Sequence, residues 1–322
     1  MDVLSDVIAV TRTGVPRAAR VQWHAPWGQR FASVPGAAGF QIVLRGSCWV
    51  LGESGPDSEP FQVQAGDVVF LPQGGAHTLV DDLATPVDTP PCAPGEPGDS
   101  GEPGGSAGTA TVDPTGADGP ATVVLCGAYR LDPARSHPLL RELPATIHLP
   151  ARVELRAIVD LLSAELEHPR HGTDAAVSPL VDLLLLYILR AWFDSEPARN
   201  AVTGWAAALN DPPVAAALQA IHRNPTAPWT VASLAAEGSL SRAPFARRFT
   251  ALVGQPPLTY LTWWRMTTAA ARLRETDDPL RTVAAAVGYT SEFAFATAFK
   301  REFGTAPGRF RAVQRAAAPA GR

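Results

Sequence analysis

The sequence predicts an α+β protein, with an antiparallel β-barrel at the N-terminal end, then a helical pair, then an all-α C-terminal region. Two observations predict this order. The first eighty residues hold short runs of β-branched and aromatic residues broken by Gly, Pro and Asp. After residue 150 the apolar residues recur at helical spacing instead. We therefore expect domains at 1–150 and 205–315, joined by a helical segment at 151–200.

Five short runs in the first domain have the composition of strands, as in a small barrel or sandwich. They are Phe40–Leu44, Ser47–Leu51, Phe61–Gln64, Val68–Leu71 and His77–Val80. The tract 88–120 then has fifteen Gly or Pro residues and six acidic ones, without a basic residue. Such a tract buries too little apolar surface to order itself, so we expect a disordered loop. The strand-like run Thr122–Tyr129 resumes the barrel.

The helical segment contains an apolar stripe and then a run that is apolar on nearly every face. The stripe is Leu155, Ile158, Leu162 and Leu166, and the run is Leu180–Phe193. A helix that is apolar all round must be covered on more than one side. We expect dimerisation through this pair, the alternative being purely intramolecular packing. The run has fourteen residues and includes Asp182 and Arg190, too short and too polar for a membrane span.

Charge and cysteine content limit the location and the partners. Residues 200–322 hold fourteen basic and seven acidic residues, a net charge of +7, whereas the remainder carries −11. Because neutralisation of phosphates drives much of nucleic-acid binding, we expect the basic C-terminal region to bind nucleic acid. The three cysteines show no CxxC spacing, and the N-terminus lacks a basic region followed by a long apolar one. Both features favour the cytoplasm.

The C-terminal region repeats itself at an offset of fifty residues. Between 231–257 and 281–307, nine positions are identical without a gap. In each copy a short helix stops at a glycine, Gly238 or Gly288, which is expected to adopt the left-handed conformation favoured at that position. A serine then caps a second helix that carries a Phe pair four residues apart. Two helices joined by a short turn with Gly form the helix-turn-helix module that places its second helix in the DNA major groove.

Seven helices are predicted from residue 212 onward, two of which are the recognition helices. They are Pro213–Arg223, Val231–Glu237, Ser241–Val253, Leu258–Glu275, Leu280–Val287, Ser291–Glu302 and Pro307–Val313. The fourth is roughly 27 Å long at 1.5 Å per residue. Such a rigid connector would hold two recognition helices about one turn of DNA apart, near the ~34 Å between successive major-groove faces.

The C-terminal region resembles the AraC/XylS family of bacterial transcription regulators. The likeness is carried by SLAAEGSLSRAPFARRFTALVGQPPLTYLTWWRM and TVAAAVGYTSEFAFATAFKREFGTAPGRFR. It implies a double helix-turn-helix DNA-binding domain that controls transcription in the bacterial cytoplasm, with nucleoid association when bound to DNA. The partners implied are double-stranded DNA, a second copy of the chain, and RNA polymerase if the protein is an activator.

The outward faces of the two recognition helices supply the predicted DNA contacts. With Phe245 and Phe249 inward, Arg247 is the expected base contact, because an Arg fork fits guanine O6 and N7. Arg242 and Arg248 are expected on phosphate, with help from the helix start. The complete set is Ser241, Arg242, Ala243, Arg247, Arg248, Glu292, Phe293, Thr297, Lys300 and Arg301. Thr297 stands where the family often has Arg, so the second module is expected to use a thymine methyl group or backbone contacts.

The N-terminal domain resembles the cupin domains fused to such regulators. Its G-x5-P-x-G-x2-H pattern is met by Gly66, Pro72, Gly74 and His77. Related regulators are expected to have His where Gln41 and Gln73 stand here, so we predict no metal and no cofactor, and His77 as a hydrogen-bonded core residue. A thiolate site remains open if Cys48 or Cys126 converges on His77. The alternative function is a metal-dependent cupin enzyme with a fused DNA-binding tail. GxSxG, P-loop and HExxH motifs are absent.

Two hypotheses concern the signal that the barrel receives. A small apolar effector is suggested by aromatic residues, with Trp23, Trp49 and His77 as the candidate pocket. A thiol switch is suggested by Cys92, placed in the tract expected to be mobile, although acidic neighbours raise a thiol pKa and lower its reactivity.

Overall fold

The structure, a computed structural model, describes residues 2–11, 16–52, 59–92, 108–111, 120–130 and 137–317. The chain divides into two compact units. The strand unit comprises Arg12–Ser136 and Leu143–Asp194, and the helical unit comprises Met1–Thr11, His137–Glu142 and Ser195–Arg322. This division differs from the predicted boundaries, because two short segments of the predicted first domain pack with the C-terminal helices.

The strands of the described chain form two sheets in the strand unit. They are β1 Arg17–His24, β2 Gly28–Phe31, β3 Ala37–Arg45, β4 Ser47–Gly52, β5 Phe61–Gln64, β6 Val68–Leu71, β7 His77–Val80, β8 Gly108–Thr111, β9 Ala121–Arg130 and β10 Ile147–Leu149. One sheet has the order β10-β6-β3-β9-β1-β8 and the other β2-β7-β4-β5. All pairs are antiparallel except β1 with β8. The predicted β-rich domain with antiparallel sheets is confirmed.

The core of the strand unit is apolar and uses alternate residues of its strands. Cys48 and Val50 of β4 are buried in it, whereas the alternate residues Ser47, Trp49 and Leu51 are half-buried, as the two-residue period of a strand requires. Trp23 and Trp27 stack in this core with ring centroids 4.6 Å apart. The register pairs Gln41 of β3 with Cys126 of β9, which brings strands distant in sequence to one place.

Part of the tract predicted to be a disordered loop has regular structure. Gly108–Thr111 pairs with β1, and the backbone of Cys92 exchanges hydrogen bonds with Arg30 and Ala32. The prediction for 88–120 therefore fails at 88–92 and 108–111, because hydrogen bonds to an existing strand offset a low intrinsic propensity. The rest of the tract, apart from Pro120, lies outside the described residues.

The helices of the described chain are distributed over both units. They are α1 Val3–Thr11, α2 Pro138–Arg141, α3 Val153–Glu167, α4 Thr173–Phe193, α5 Glu196–Arg199, α6 Gly204–Asn210, α7 Pro212–Arg223, α8 Val231–Glu237, α9 Arg242–Val253, α10 Pro257–Glu275, α11 Leu280–Ala286, α12 Glu292–Phe303 and α13 Pro307–Ala317. The seven predicted C-terminal helices are present with ends shifted by a few residues. Helices α1, α2, α5 and α6 were not predicted.

Helices α3 and α4 pack on one another and on β1 in the strand unit. The predicted stripe of α3, from Leu155 to Leu166, is buried. Helix α4 is long and apolar enough to cross a membrane by length and composition alone, a test that core helices also pass. Leu161 of α3 is 59% exposed and Leu183 of α4 is 41% exposed, so this helix pair has apolar residues that are not covered within the strand unit.

Candidate nucleic-acid interface

The two copies of the repeat adopt the same local structure. Phe245 and Phe249 of α9 are fully buried with ring centroids 5.6 Å apart, and Phe295 and Phe299 of α12 are fully buried at the same separation. Each pair fixes which face of its helix turns inward. The opposite face of each recognition helix is therefore directed to solvent.

The turns of the two modules differ in the position of the left-handed residue, which falls one residue later in the first module than in the second. In the second module Gly288 has φ +82°, the left-handed conformation predicted for it. In the first, Gly238 has φ −98° and Ser239 takes the left-handed position at φ +55°. The reason predicted for Gly238 is therefore wrong. Glycine is needed there because a Cβ atom would lie 2.5 Å from Cα of Pro213, at the start of α7.

The recognition helices also begin differently. The Ser291 hydroxyl accepts a hydrogen bond from the backbone N–H of Ala294, at 3.3 Å, as predicted for a cap. Ser241 occupies the same position before α9, but its hydroxyl caps no N–H of the described helix. The first turn of α9 contains Arg242 and no acidic residue, whereas the first turn of α12 contains Glu292. The N-terminal end of α9 therefore suits an anion better.

Helix α10 joins the cores of the two modules. Its N-terminal half contributes Tyr260, which packs against Phe249 with centroids 6.1 Å apart. Its C-terminal half contributes Met266 and Leu273 to the core that contains Phe295 and Phe299. At 1.5 Å per residue its nineteen residues span roughly 28 Å. The connector predicted from the sequence is thus a continuous helix that is anchored at both ends.

The predicted contacts of the first module are all exposed, but they are not equivalent. Arg242 and Arg247 form no ion pair with any residue that the structure describes. Arg248 instead places Nε 2.6 Å from the carboxylate of Asp211, which also caps α7 through the N–H of Val214. The guanidinium of Arg248 is therefore already paired with a buried carboxylate.

The predicted contacts of the second module are exposed too: Glu292, Phe293, Thr297, Lys300 and Arg301. Phe293 is 83% exposed although it lies on the same helix as two fully buried phenylalanines. The hydroxyl of Thr297 donates to the carbonyl oxygen of Phe293 at 2.9 Å. The exposed surface that these residues form on α12 is therefore less cationic than the corresponding surface of α9.

The structure does not bring the three predicted effector-pocket residues together. Trp23 is buried in the core of the strand unit. His77 is buried and stacks on Phe31, with centroids 4.6 Å apart. Trp49 is half-buried, and strand alternation places it on the opposite face of β4 from the core residue Cys48. A pocket built from all three side chains is not present.

His77 has the hydrogen bonds of a neutral core histidine. Nδ1–H donates to the carbonyl of Gly75 at 3.2 Å, and Nε2 accepts from the amide of Gln41 at 3.1 Å. Burial lowers its pKa to about 4, against a smaller opposing effect of the Gly75 carbonyl. Gln73 donates to the carbonyl of Leu143. Among the described residues no group of three His, Cys, Asp or Glu side chains could hold a metal ion.

The three cysteines are free thiols. Burial raises the pKa of Cys48 to about 12. The pKa of Cys126 is raised above the ordinary range of a thiol. Burial is the main cause, and the thiols of Cys92 and Cys48 add to it. Cys92 is exposed, but it is held by backbone pairing to β2, and not in a mobile tract as predicted. Of the three, Cys92 is the most accessible to an oxidant.

The helical unit contains a buried chain of polar side chains that was not predicted from the sequence. The N–H of Leu139 donates to Nδ1 of His137, so the proton of His137 lies on Nε2, which donates to the Tyr260 hydroxyl. That hydroxyl donates to Nε2 of His222 at 2.6 Å, and His222 Nδ1–H donates to the carboxylate of Asp6. Burial lowers the pKa of both histidines and raises that of Tyr260. The partners are 38 to 216 residues apart, so no sequence motif could reveal them.

Comparison with known proteins identifies the class defined by these two units. A cupin family model matches residues 2–194, and a helix-turn-helix domain model matches residues 234–312. An AraC-like transcription regulator of Streptomyces antibioticus is 35% identical over 97% of this chain and 98% of its own length. The transcriptional regulator MtrA of Neisseria gonorrhoeae is 28% identical over the same shares of the two chains.

A solved structure is also similar to the C-terminal part. The DNA-binding domain of AdpA in complex with a target DNA is 33% identical and is covered to 99%, over 34% of this chain, with a TM-score of 0.33. The chain belongs to the AraC family of transcription regulators with a cupin-type N-terminal domain. It is therefore a DNA-binding transcription regulator, and its relatives are named as regulators, which bears against the cupin-enzyme alternative.

Proposed function

We propose that α9 and α12 enter two successive major-groove segments of one DNA site, and that Arg247 makes the principal base contact. The observation that carries this is the common geometry of the two modules. In both, the Phe pair is fully buried, which turns the opposite helix face outward. On α9 that face presents Arg247, which is exposed and forms no ion pair within the described chain. An unpaired guanidinium fork matches the two acceptors of guanine.

The test compares two arginine variants in selection of bound fragments and in titrations at fixed salt. Arg247→Ala should lose the preference for guanine at one position and weaken specific binding by about 1–3 kcal/mol. Arg156→Ala removes another exposed charge, on α3, where the side chain is 81% exposed, and should change neither the preference for guanine nor the affinity. A uniform weakening of all sequences by Arg247→Ala would show that Arg247 contacts phosphate only.

We further propose that the regulator acts as a homodimer, formed through the exposed apolar residues Leu161 and Leu183 of α3 and α4. Surface leucines on two adjacent helices favour burial against a second copy. Sedimentation of the full chain as a monomer at micromolar concentration would contradict this. The proposal places the protein in the cytoplasm on nucleoid DNA, with RNA polymerase as a further partner if it activates transcription.

The signal received by the strand unit is a separate proposal. A small apolar effector would have to enter beside Trp23 and His77, without Trp49, because Trp49 lies on the other face of its strand. Oxidation would begin at the exposed Cys92, since the other two thiols are held protonated by burial. DNA binding that responds to oxidant in the wild type but not in Cys92→Ser would favour the thiol. An unchanged response would exclude it.

A further inference from the structure

The two recognition helices present different chemistry at equivalent positions of the repeat. The offset of fifty residues aligns an arginine with a glutamate, an alanine with a phenylalanine and an arginine with a threonine: Arg242 with Glu292, Ala243 with Phe293, and Arg247 with Thr297. All six are exposed. The first module therefore offers two cationic donors where the second offers a carboxylate and a hydroxyl group, and it offers a methyl group where the second offers an aromatic ring.

Phe293 is the largest apolar group on the outward face of α12. It is 83% exposed, while Phe295 and Phe299 of the same helix are fully buried. A Phe side chain stabilises a fold when it is removed from water, so this exposed ring contributes far less to folding than its buried neighbours do. Its place in the first turn is where a recognition helix meets base edges.

The neighbour of Phe293 on this face does not offer its hydroxyl proton to a base. Thr297 donates that proton to the carbonyl oxygen of Phe293, one helical turn earlier. Ala296 adds only a half-buried methyl group between them. Together with Phe293, these side chains form a surface that suits an apolar group better than a hydrogen-bonding base edge.

We propose that Phe293, supported by Thr297, selects a pyrimidine that carries a methyl group at C5 in the DNA segment read by the second module. The C5 methyl of thymine is the apolar feature of the major groove, and Phe is among the side chains that contact it. This assignment rests on the proposed function, since it requires α12 to enter the major groove. It makes Phe293 a specificity-determining residue that acts by contact and without a hydrogen bond.

The test removes the methyl group from DNA and the ring from the protein, separately and together. Each thymine of the selected site is replaced singly by deoxyuridine, which differs only by that methyl group. Wild-type full-length protein should lose about fourfold in affinity at one or two thymines of the second half of the site, because a methyl-sized apolar contact is worth ~0.8 kcal/mol. In Phe293→Ala the same replacements should have no effect, and Phe293→Leu should retain part of it.

Two controls separate the possible failures. Val313→Ala shortens another exposed apolar residue, 55% exposed on α13, and should leave the deoxyuridine effect unchanged. If Phe293→Ala keeps the deoxyuridine effect, the assignment of Phe293 is wrong. The same follows if the wild type binds its site specifically but shows no such effect, and in both cases the proposed function still stands. Absence of sequence-specific binding by the wild type would overturn the proposed function as well. Thermal unfolding of Phe293→Ala should match the wild type, since the ring is exposed.

Discussion

At the scale of single residues, hydrogen-bond partners determine protonation states that the sequence leaves open. The pattern around His77 predicted an inward-facing core histidine, and the structure confirms it. It could not predict that Phe31 stacks on the ring or that Gln41 supplies its donor, because both depend on strand pairing. The predicted place of Trp49 in a pocket was wrong, because the face of β4 on which it lies depends on strand register, which composition does not specify.

The buried His77 should make stability depend on pH. Its pKa is about 4 in the folded chain and 6.5 when exposed, so the unfolded chain binds more protons between these values. The contribution is complete above pH 6.5 and is lost as the pH falls towards 4, on the order of 3 kcal/mol in total. Urea unfolding at a series of pH values should show a shallower decline for His77→Gln than for the wild type.

A histidine on the surface provides the comparison. His171 is exposed, so His171→Gln should keep the wild-type dependence of the unfolding free energy on pH. The buried His137 and His222 contribute declines of the same sign, which is why only the difference between His77→Gln and the wild type is informative. If His77→Gln keeps the full decline, the buried neutral state of His77 is refuted.

At the scale of elements, helices and strands with a strong local sequence pattern were predictable, whereas those that form only through tertiary contacts were not. Phe61–Gln64, Val68–Leu71 and Val231–Glu237 have the predicted ends, because Gly, Pro or capping residues bound them in the sequence itself. Strand β8 exists through its pairing with β1, and α1 through packing on α7 and α10. Tertiary contacts of this kind override local propensity, so a single sequence does not reveal them.

Two glycines of the first module, Gly238 and Gly254, are required for different reasons, and their substitution can separate these reasons. In Gly238→Ala the new Cβ atom would meet backbone atoms of Pro213 at 2.5 and 2.6 Å, and we expect a loss of at least about 2 kcal/mol in the free energy of unfolding. Gly254→Ala meets no described atom within 4 Å, but must adopt φ +78°. That variant should lose only about 1–2 kcal/mol. Equal losses in urea unfolding would contradict the close approach.

At the scale of the whole molecule, the order of the chain does not follow the order of its units. Residues 12–136 of the strand unit lie in sequence between two segments, Met1–Thr11 and His137–Glu142, that both belong to the helical unit. The family resemblance predicted two successive domains. It could not predict this interleaving, because the residues that hold the two segments, such as Asp6 and His137, are joined to partners only through the fold.

The interleaving predicts that an amino-terminal residue stabilises the DNA-binding half. Asp6→Ala leaves the buried Nδ1–H of His222 without its acceptor, which should cost ~1–3 kcal/mol in the unfolding of the helical unit. Asp160→Ala removes a carboxylate that is 70% exposed on α3 and should have almost no effect. Hydrogen exchange of the backbone amides of α7 and α10 would follow the helical unit separately from the strand unit. Equal stability of the two variants would count against the buried chain.

These contacts affect where the DNA-binding half can be cut out of the chain. A fragment cut to begin after α4 keeps both recognition helices but discards α1 and α2, and with them the groups that complete the hydrogen bonds of His222 and Tyr260. Removal of the amino-terminal residues therefore weakens the half of the protein that binds DNA, although these residues lie far from it in the sequence.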